Sequence, residues 1–326
     1  MTREHGIVVN PGGPSASGRV FEAAFRGVVR PVLRGFPINR TTLPVGAALV
    51  DGLSMLRPEP PGVDREQVSL NGFRMEIIRP AGAARSLRHG AVLHFHGGGF
   101  AICGLRTHRP VAAGLARRTG LPVVNVEYRQ LPRTRITDSL ADCLHAYRWL
   151  LRHRVDPARI VIAGDSAGGL LAFSTVFAAL EAGLPAPAGL VGFSPLLDLD
   201  YAAKRDYEKT ARDAYIPLAA LAAVVKLGGE VGGVLDPKLS PVNATLTGLP
   251  PVLLVAAERE LLRYDSELMA RRLTAAGVPN SLELWRGTVH DFMSIAPNMP
   301  ESRAALARAS RFIRARIEQP ASIRTA

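Results

Sequence analysis

The sequence predicts an α/β protein with a mostly parallel central sheet and helices on both of its faces. The first observation behind this prediction is that short apolar runs of strand length alternate with longer helical segments through most of the 326 residues. The second is a Gly-x-Ser-x-Gly turn at residues 164–168, which joins an apolar run to a helical segment. Alternating strands and helices are typical of parallel sheets that are covered on both faces.

The individual elements follow from periodicity and length. Residues 68–79 alternate in part between apolar and polar side chains, which indicates antiparallel strands entering the sheet. The remaining strands are predicted at 91–95, 123–127, 160–163, 190–193, 251–255 and 281–285. The helices are predicted at 110–119, 137–153, 169–180, 266–276 and 302–317. Two segments lie outside this alternation: the stretch that ends in a Pro-rich linker near residue 61, and the stretch 201–235.

The turn at residues 164–168 reads Gly-Asp-Ser-Ala-Gly and provides a candidate nucleophile, Ser166. A serine between a strand and a helix in this pattern is typical of a nucleophile elbow. The two glycines lack a Cβ atom, so the backbone can turn sharply and hold the serine in a strained conformation. The hydroxyl would then project from the edge of the sheet at the positive end of the next helix. The alternative is a glycine-rich turn with an incidental serine.

A second glycine-rich segment follows the predicted strand 91–95 and reads His-Gly-Gly-Gly-Phe from His96 onward. Acyl transfer needs N–H donors at the point where the tetrahedral intermediate develops negative charge. The candidate oxyanion donors are the N–H groups of Gly98, Gly99 and Ala167. A phosphate-binding loop is the alternative, but the segment lacks both a Gly-Lys-Ser/Thr ending and the Rossmann spacing. His96 is expected to order this loop.

A nucleophilic serine requires a base, and the base requires an acid that orients it. Among the eight histidines, His290 is the candidate base because it lies on a loop past the end of a predicted strand. The acid is expected between the serine and the histidine in the chain. Glu260 is the candidate acid because it leaves the end of the buried run 252–257. Glu258 and Asp265 remain alternatives.

Taken in order, these segments resemble those of a known family. His-Gly-Gly-Gly-Phe, Gly-Asp-Ser-Ala-Gly-Gly and a late Val-His-x-Phe are similar to motifs of the hormone-sensitive-lipase group of α/β-hydrolases. The Tyr-Arg-x-x-Pro segment at 128–132 and the segments at 194–198 and 236–241 also resemble this group. The resemblance extends from about Gln67 to about Arg314. It implies the α/β-hydrolase fold and an esterase mechanism that requires neither a metal nor an organic cofactor.

The chain departs from the family pattern at three positions. The usual acid is an aspartate followed by Pro-Leu or a similar pair, whereas Glu260 is followed by two leucines. Asp291 stands in place of the glycine in the usual His-Gly-Phe and brings an additional carboxyl group beside the base. Arg133 stands where the family's Ala-Pro-Glu segment has its glutamate. A glutamate can fill the acid role in this fold.

In the resembling family, segments outside the strand–helix alternation form a cap over the active site. We therefore predict an N-terminal cap segment at 1–61, the first part of the core at 62–200, a cap insertion at 201–235 and the second part of the core at 236–326. A small helical cap would exclude water and supply an apolar acyl pocket. A pair of surface helices without a role in substrate choice is the alternative.

Composition limits the partners and the compartment. The net charge of +12 is typical of proteins that bind nucleic acid or anionic membranes, but the arginines are scattered and do not cluster with aromatic residues. No nucleic-acid partner is therefore predicted. Cys103 and Cys143 give neither a disulfide framework nor a metal-site spacing. Apolar runs are too short for a signal peptide or a membrane span. A cytoplasmic protein without stable membrane insertion is expected, with a homodimer left open.

The function predicted from these residues is hydrolysis of small carboxylic esters with short to medium acyl chains. The same triad would serve an amide or lactone hydrolase or an acyltransferase. An interfacial lipase is a further alternative, because the chain is basic and the predicted cap carries apolar runs. A ligand-binding receptor on a hydrolase scaffold is the non-enzymatic alternative, and the presence of both Ser166 and His290 argues against it.

Overall fold

The computed structural model describes residues 6–318, and a nine-stranded sheet lies at its centre. The strands, in chain order, are β1 (Ile7–Val8), β2 (Val63–Ser69), β3 (Arg74–Pro80), β4 (Ala91–Phe95), β5 (Val123–Glu127), β6 (Ile160–Asp165), β7 (Gly189–Phe193), β8 (Glu230–Val231), β9 (Val234–Leu235), β10 (Val252–Ala257) and β11 (Asn280–Trp285). β8 and β9 form a separate hairpin, and the others lie in the order β1-β11-β10-β7-β6-β4-β5-β3-β2. Neighbours in this sheet are parallel except where β3 pairs with β2 and with β5. The predicted sheet and its antiparallel entry are therefore confirmed.

Helices cover both faces of the sheet, as predicted. They are α1 (Ala16–Ala24), α2 (Arg30–Gly35), α3 (Thr42–Met55), α4 (Leu105–Thr119), α5 (Ile136–Arg152), α6 (Ala167–Glu181), α7 (Arg205–Ala211), α8 (Leu218–Gly228), α9 (Arg263–Ala275), α10 (Phe292–Ile295) and α11 (Pro300–Glu318). Helices α4 and α11 pack on one face, and α5, α6 and α9 pack on the other. Within β6, Val161 joins the first layer and Ile162 the second, because successive side chains of a strand face opposite sides.

Helix α4 is longer than the sequence predicts. It begins at Leu105, whereas the prediction placed its start near Pro110. Proline favours the first turn of a helix because it lacks an N–H group, but here it lies inside the helix. The true first turn is held by Thr107, whose hydroxyl accepts a hydrogen bond from Gly104 N at 2.9 Å and donates one to Gly104 O at 2.8 Å.

The first strand corrects the predicted boundary of the N-terminal segment. Ile7–Val8 pairs in parallel with β11, so these residues belong to the core sheet and not to a cap that spans 1–61. Two residues are too few to produce a periodic pattern, so this strand cannot be predicted from the sequence. The side chain of Asn10 stabilises this pairing. Its Oδ1 accepts a hydrogen bond from Arg286 N at 2.8 Å, and its Nδ2 donates one to Arg286 O at 3.0 Å.

The two segments outside the strand–helix alternation contact each other. The N-terminal segment forms α1, a π-helical turn at Phe25–Val29, α2 and α3, while the insertion forms α7, α8 and the β8–β9 hairpin. The buried guanidinium of Arg30 donates to Asp213 O at 2.6 Å and to Ile216 O at 3.2 Å. Burial lowers the pKa of Arg30, and the Asp213 carboxylate opposes that shift. No helix among residues 6–318 is both long and apolar enough to cross a bilayer.

Candidate active site

The turn between β6 and α6 holds Ser166 in a conformation that most residues avoid. Its φ is 52° and its ψ is −118°, which indicates backbone strain for a residue other than glycine. Glycine is required on both sides of the serine because backbone oxygens approach too closely for a Cβ atom. A Cβ atom on Gly164 would lie 2.1 Å from Gly168 O, and one on Gly168 would lie 2.0 Å from Phe95 O. The turn therefore has the sharp geometry that the sequence pattern predicts, and the serine faces a cavity at the sheet edge.

Three side chains that the sequence singled out lie in one hydrogen-bonded series. Ser166 Oγ is 2.9 Å from His290 Nε2, and His290 Nδ1 is 2.8 Å from Glu260 Oε2. His290 and Glu260 follow the ends of β11 and β10, and Ser166 follows the end of β6. Because these strands run parallel, their carboxyl ends meet at one edge of the sheet, where ligands bind in open α/β sheets.

The two other carboxylates considered as the acid bind elsewhere. Glu258 Oε1 accepts a hydrogen bond from Arg286 Nε at 2.9 Å. Asp265 is fully buried, accepts hydrogen bonds from two backbone N–H groups, and forms an ion pair with Lys204 Nζ at 3.0 Å. Burial raises the pKa of Asp265 to about 6 although Lys204 acts in the opposite direction. Neither carboxylate is hydrogen-bonded to His290, so the structure brings only Glu260 of the three to that ring.

Glu260 is held both by the backbone and by the histidine. Its Oε1 accepts a hydrogen bond from Ala257 N at 3.1 Å, and its side chain is buried. Burial raises the pKa of Glu260, and the hydrogen bond and charge interaction with His290 oppose this shift. The next residue is fixed from the insertion, because Asp213 Oδ2 accepts a hydrogen bond from Leu261 N at 2.7 Å. The loop that carries Glu260 is thus anchored to the insertion through Asp213.

The glycine-rich loop after β4 presents unpaired N–H groups beside Ser166. Gly98 and Gly99 have φ values of 104° and 60°, and a Cβ atom on Gly98 would lie 2.1 Å from Ile102 O. Among residues 6–318, none accepts a hydrogen bond from the N–H of Gly98, Gly99 or Ala167. Ala167 is the first residue of α6, where an N–H has no partner within the helix. Gly98, Gly99 and Ser166 line the same cavity.

His96 orders the glycine-rich loop, in agreement with the sequence prediction. Its Nδ1 lies 2.7 Å from Gly97 O, and its ring stacks on Tyr128 with 4.3 Å between centroids. The Tyr128 hydroxyl donates to His96 O at 2.7 Å. Burial lowers the pKa of His96 to about 3. The ring is therefore neutral at ordinary working pH and holds the loop by packing and hydrogen bonding.

The cavity above Ser166 is mostly apolar and has a volume of about 360 Å³. The N-terminal segment contributes Leu33, Ile38, Leu43, Val50 and Leu53, and the insertion contributes Tyr215, Ile216, Leu221 and Val224. A polar corner lies beside the Ser166–His290 pair and contains Thr107, His108, Asp291 and Ser294. An apolar cavity with few polar groups at one end is the usual form of a small-molecule site.

The buried carboxylate of Asp165 was not identified from the sequence as part of the site. Asp165 Oδ2 accepts hydrogen bonds from Gly97 N at 2.7 Å and from His108 Nε2 at 2.9 Å. His108, Asp165 and Asp291 bring one nitrogen or oxygen atom each to within 4.8 Å of one another, and they form the cluster in the described part of the chain that could hold a metal ion. The one sequence signal for these two carboxylates was their position, since Asp165 directly precedes Ser166 and Asp291 directly follows His290.

The fold and the motifs have a counterpart among known proteins. The α/β-hydrolase fold family matches residues 92–294 of this chain. The chain belongs to the α/β-hydrolase family. It is 33% identical over 316 residues to a protein of Mycobacterium tuberculosis named carboxylesterase/phospholipase LipF, and the match covers 94% of this chain and 84% of that protein. It is also 36% identical over 258 residues to esterase LipU of the same organism, with 77% and 86% of the two chains covered.

Solved structures agree with these relatives. A crystal structure of an esterase described as belonging to the bacterial hormone-sensitive lipase family superposes with a TM-score of 0.82 at 31% identity, over 93% of this chain and 99% of that one. The resemblance to the hormone-sensitive-lipase group and the predicted α/β-hydrolase fold are therefore confirmed. The predicted class of enzyme is confirmed at the level of the family, because its relatives are named carboxylesterases and esterases.

Proposed function

We propose that this protein hydrolyses small carboxylic esters through an acyl-enzyme. The proposed nucleophile is Ser166, the proposed base His290, the proposed acid Glu260, and the proposed oxyanion donors the N–H groups of Gly98, Gly99 and Ala167. The observation that carries the proposal is the hydrogen-bonded series from Ser166 Oγ through His290 to Glu260 at the base of an apolar cavity.

The proposed chemistry follows from that series. Ser166 Oγ attacks the ester carbonyl while His290 Nε2 accepts its proton. The negative charge on the carbonyl oxygen is stabilised by the three backbone donors. The imidazolium gives its proton to the leaving alcohol, and water then repeats the attack on the acyl group. Glu260 stabilises the imidazolium and fixes the ring with Nε2 toward the serine.

The proposed cap consists of the N-terminal residues after β1 together with the insertion 201–235. Its support is that both segments line the cavity and that Arg30 joins them through Asp213. The cap residues that face Ser166 are almost all apolar, so they would exclude water and bind an acyl chain. Residues 7–8 are not part of this proposal, because they lie in the core sheet.

The direct test is active-site labelling combined with ester hydrolysis. The purified protein should hydrolyse short-chain p-nitrophenyl esters, and a fluorophosphonate should form a covalent adduct that mass spectrometry maps to Ser166. Amide substrates with the same acyl group should be cleaved far more slowly. A protein that neither hydrolyses these esters nor becomes labelled would instead support the receptor alternative.

Replacement of Glu260 by glutamine should lower kcat by about a thousandfold with little change in KM. The amide cannot stabilise the imidazolium as a carboxylate does, and it favours the wrong tautomer of the ring. In the parent, kcat should decrease as the pH is lowered, and the decrease should begin at a pH above the usual glutamate range because burial raises the pKa of Glu260. Glu258→Gln is the matched control, since that side chain binds Arg286. A large loss of kcat in Glu258→Gln together with a small loss in Glu260→Gln would show that the acid is misassigned.

Acyl-chain preference should follow the size of the cavity. Each buried methylene contributes about 0.8 kcal/mol, which corresponds to roughly a fourfold gain in kcat/KM. Across a p-nitrophenyl ester series, kcat/KM should therefore rise with chain length, peak at short to medium chains, and then fall. Leu221 lines the cavity, so Leu221→Ala should move the peak to longer chains. Val231→Ala, on the exposed β8–β9 hairpin, should leave the peak in place.

Action at a lipid surface is the second candidate function, and one observation favours it. Helix α3 exposes Val45, Leu49 and Leu53, which are 65%, 63% and 57% accessible and recur every four residues on one side of the helix. Leu53 also lines the cavity. The chain is basic, which favours anionic surfaces, and the name of the LipF relative includes phospholipase. Highest kcat/KM on emulsified long-chain triglyceride would favour this candidate over small esters.

A further inference from the structure

Two buried carboxyl groups lie next to the proposed nucleophile and base. Asp165 directly precedes Ser166, and Asp291 directly follows His290. The side chains are almost inaccessible, at 1% and 10%, and carboxylate oxygens of the two lie within 4.8 Å of each other. Two negative charges this close in a buried site repel strongly, and a proton on one of the groups would relieve this repulsion.

The partners of each carboxyl decide which one ionises. Asp165 accepts hydrogen bonds from Gly97 N and from His108 Nε2. Asp291 accepts one hydrogen bond, from Ser294 Oγ at 2.8 Å, and its other oxygen lies 3.9 Å from His108 Nε2. Burial is the largest influence on the pKa of Asp165 and acts to raise it, but the charges and hydrogen bonds of His108 and His94 together outweigh it, so the pKa falls well below its usual value. His94 Nε2 lies 3.4 Å from Asp165 Oδ1. Burial, and then the charge of Asp165, raise the pKa of Asp291 well above its usual value.

The other groups around Asp291 favour the same distribution of charge. Glu260, from the loop after β10, adds a second negative charge that favours a proton on Asp291. Cys103, from the loop before α4, has its pKa raised to about 12 by burial. Burial also raises the pKa of Tyr215 in the insertion. Both of these groups are therefore neutral at working pH and place no charge beside Asp291.

We propose that Asp291 is a positioning residue: it shares its proton with the Asp165 carboxylate, and this bridge holds the loop of His290 against the turn of Ser166. The inference rests on the proposed function of those two residues. Asp165 also holds the glycine-rich loop through Gly97 N. One carboxylate thus joins the three loops that carry the nucleophile, the base and the oxyanion donors. The proton stays within the pair and does not enter the reaction.

The backbone around Asp291 fits this role. Its φ of 54° lies in the left-handed region, which favours glycine and which aspartate adopts more readily than most other residues. Its N–H donates to Ser194 Oγ at 3.1 Å. The side-chain bridge and this backbone bond act on the residue next to His290. Loss of the bridge should therefore move the imidazole relative to Ser166 without removing either group.

Thermal unfolding tests the shared proton without any use of catalysis. A carboxyl with a raised pKa in the folded state binds its proton more tightly there than in the unfolded chain, so stability falls as pH rises above the usual aspartate range. Asp291→Asn removes this ionisation and keeps an N–H donor for Asp165. The Tm difference between the variant and the parent should therefore grow steadily from pH 5 to pH 8. A difference that stays constant over this range would overturn the proposal.

Kinetics test the positioning role. Asp291→Asn should keep kcat within about threefold of the parent, because asparagine can still donate to Asp165. Asp291→Leu keeps the branched shape at Cγ and has no donor, and it should lower kcat at least tenfold with KM unchanged. Equal kcat values for the two variants would overturn the role. Elemental analysis completes the test: a stoichiometric metal ion in the parent that Asp291→Asn loses would mean that a cation, and not a proton, joins the carboxylates.

The two sets of results separate this inference from the proposed function. If the protein shows no esterase activity and no labelling of Ser166, the proposed function fails, whereas the Tm measurements still report on the proton. If esterase activity is present and the Tm difference is constant with pH, the proposed function stands and only the shared proton fails.

Discussion

Ser166→Ala should lower kcat/KM for ester hydrolysis by about a thousandfold or more while leaving the fold intact. The hydroxyl is the atom that would attack the ester, and its hydrogen bond is to His290 at the cavity floor. Alanine fits the same space and fills the same strained backbone position at the turn. The measurements are initial rates on p-nitrophenyl esters together with Tm.

Ser174→Ala is the matched control for this prediction, because that serine lies on α6 and does not line the cavity. It should retain parent activity. Near-parent turnover by Ser166→Ala, with contaminating esterases excluded by a second purification, would contradict the serine-nucleophile mechanism as a whole.

The second large effect is expected for His290→Ala, which should lower kcat by about a thousandfold or more with a smaller change in KM. Without the imidazole, Ser166 has no group to accept its proton and the leaving alcohol has none to supply one. Because the two residues act as a unit, the Ser166→Ala/His290→Ala double variant should be little worse than either single variant.

His89→Ala is the control for the histidine, since His89 is exposed and lies outside the cavity. It should leave kcat unchanged. Additive losses in the double variant, with each substitution costing its full factor again, would mean that Ser166 and His290 act in separate steps and not as one proton-transfer unit.

Much of the fold could be predicted from the sequence, because each core element carries a local pattern. The apolar run 160–163 and the helical run after it correspond to β6 and α6. The exceptions have physical causes. The strand Ile7–Val8 is held by pairing with β11 and by Asn10, which are contacts across nearly the whole chain. The start of α4 depends on a Gly104–Thr107 hydrogen-bond pair that outweighs the proline signal.

The candidate site also combines features with a local sequence signal and features that depend on long-range contacts. Ser166 could be singled out because an elbow imposes a local demand on the backbone, and the two glycines that meet it are neighbours in the sequence. The choice among Glu258, Glu260 and Asp265 stayed open. Three carboxylates within eight residues look alike in sequence, and only the path of the chain from the end of β10 into α9 decides which one meets His290.

The sequence by itself therefore determined the strand–helix order, the sharp turn that carries the serine, and the glycine-rich loop beside it, because each of these is a requirement on neighbouring residues. The tertiary structure decided which distant side chains meet. Ser166 and His290 are 124 residues apart in the chain, and Asp165 meets Asp291 only because the ends of β6 and β11 lie at one edge of the sheet. Such contacts depend on how the strands pack side by side, and a single sequence carries no local signal for that arrangement.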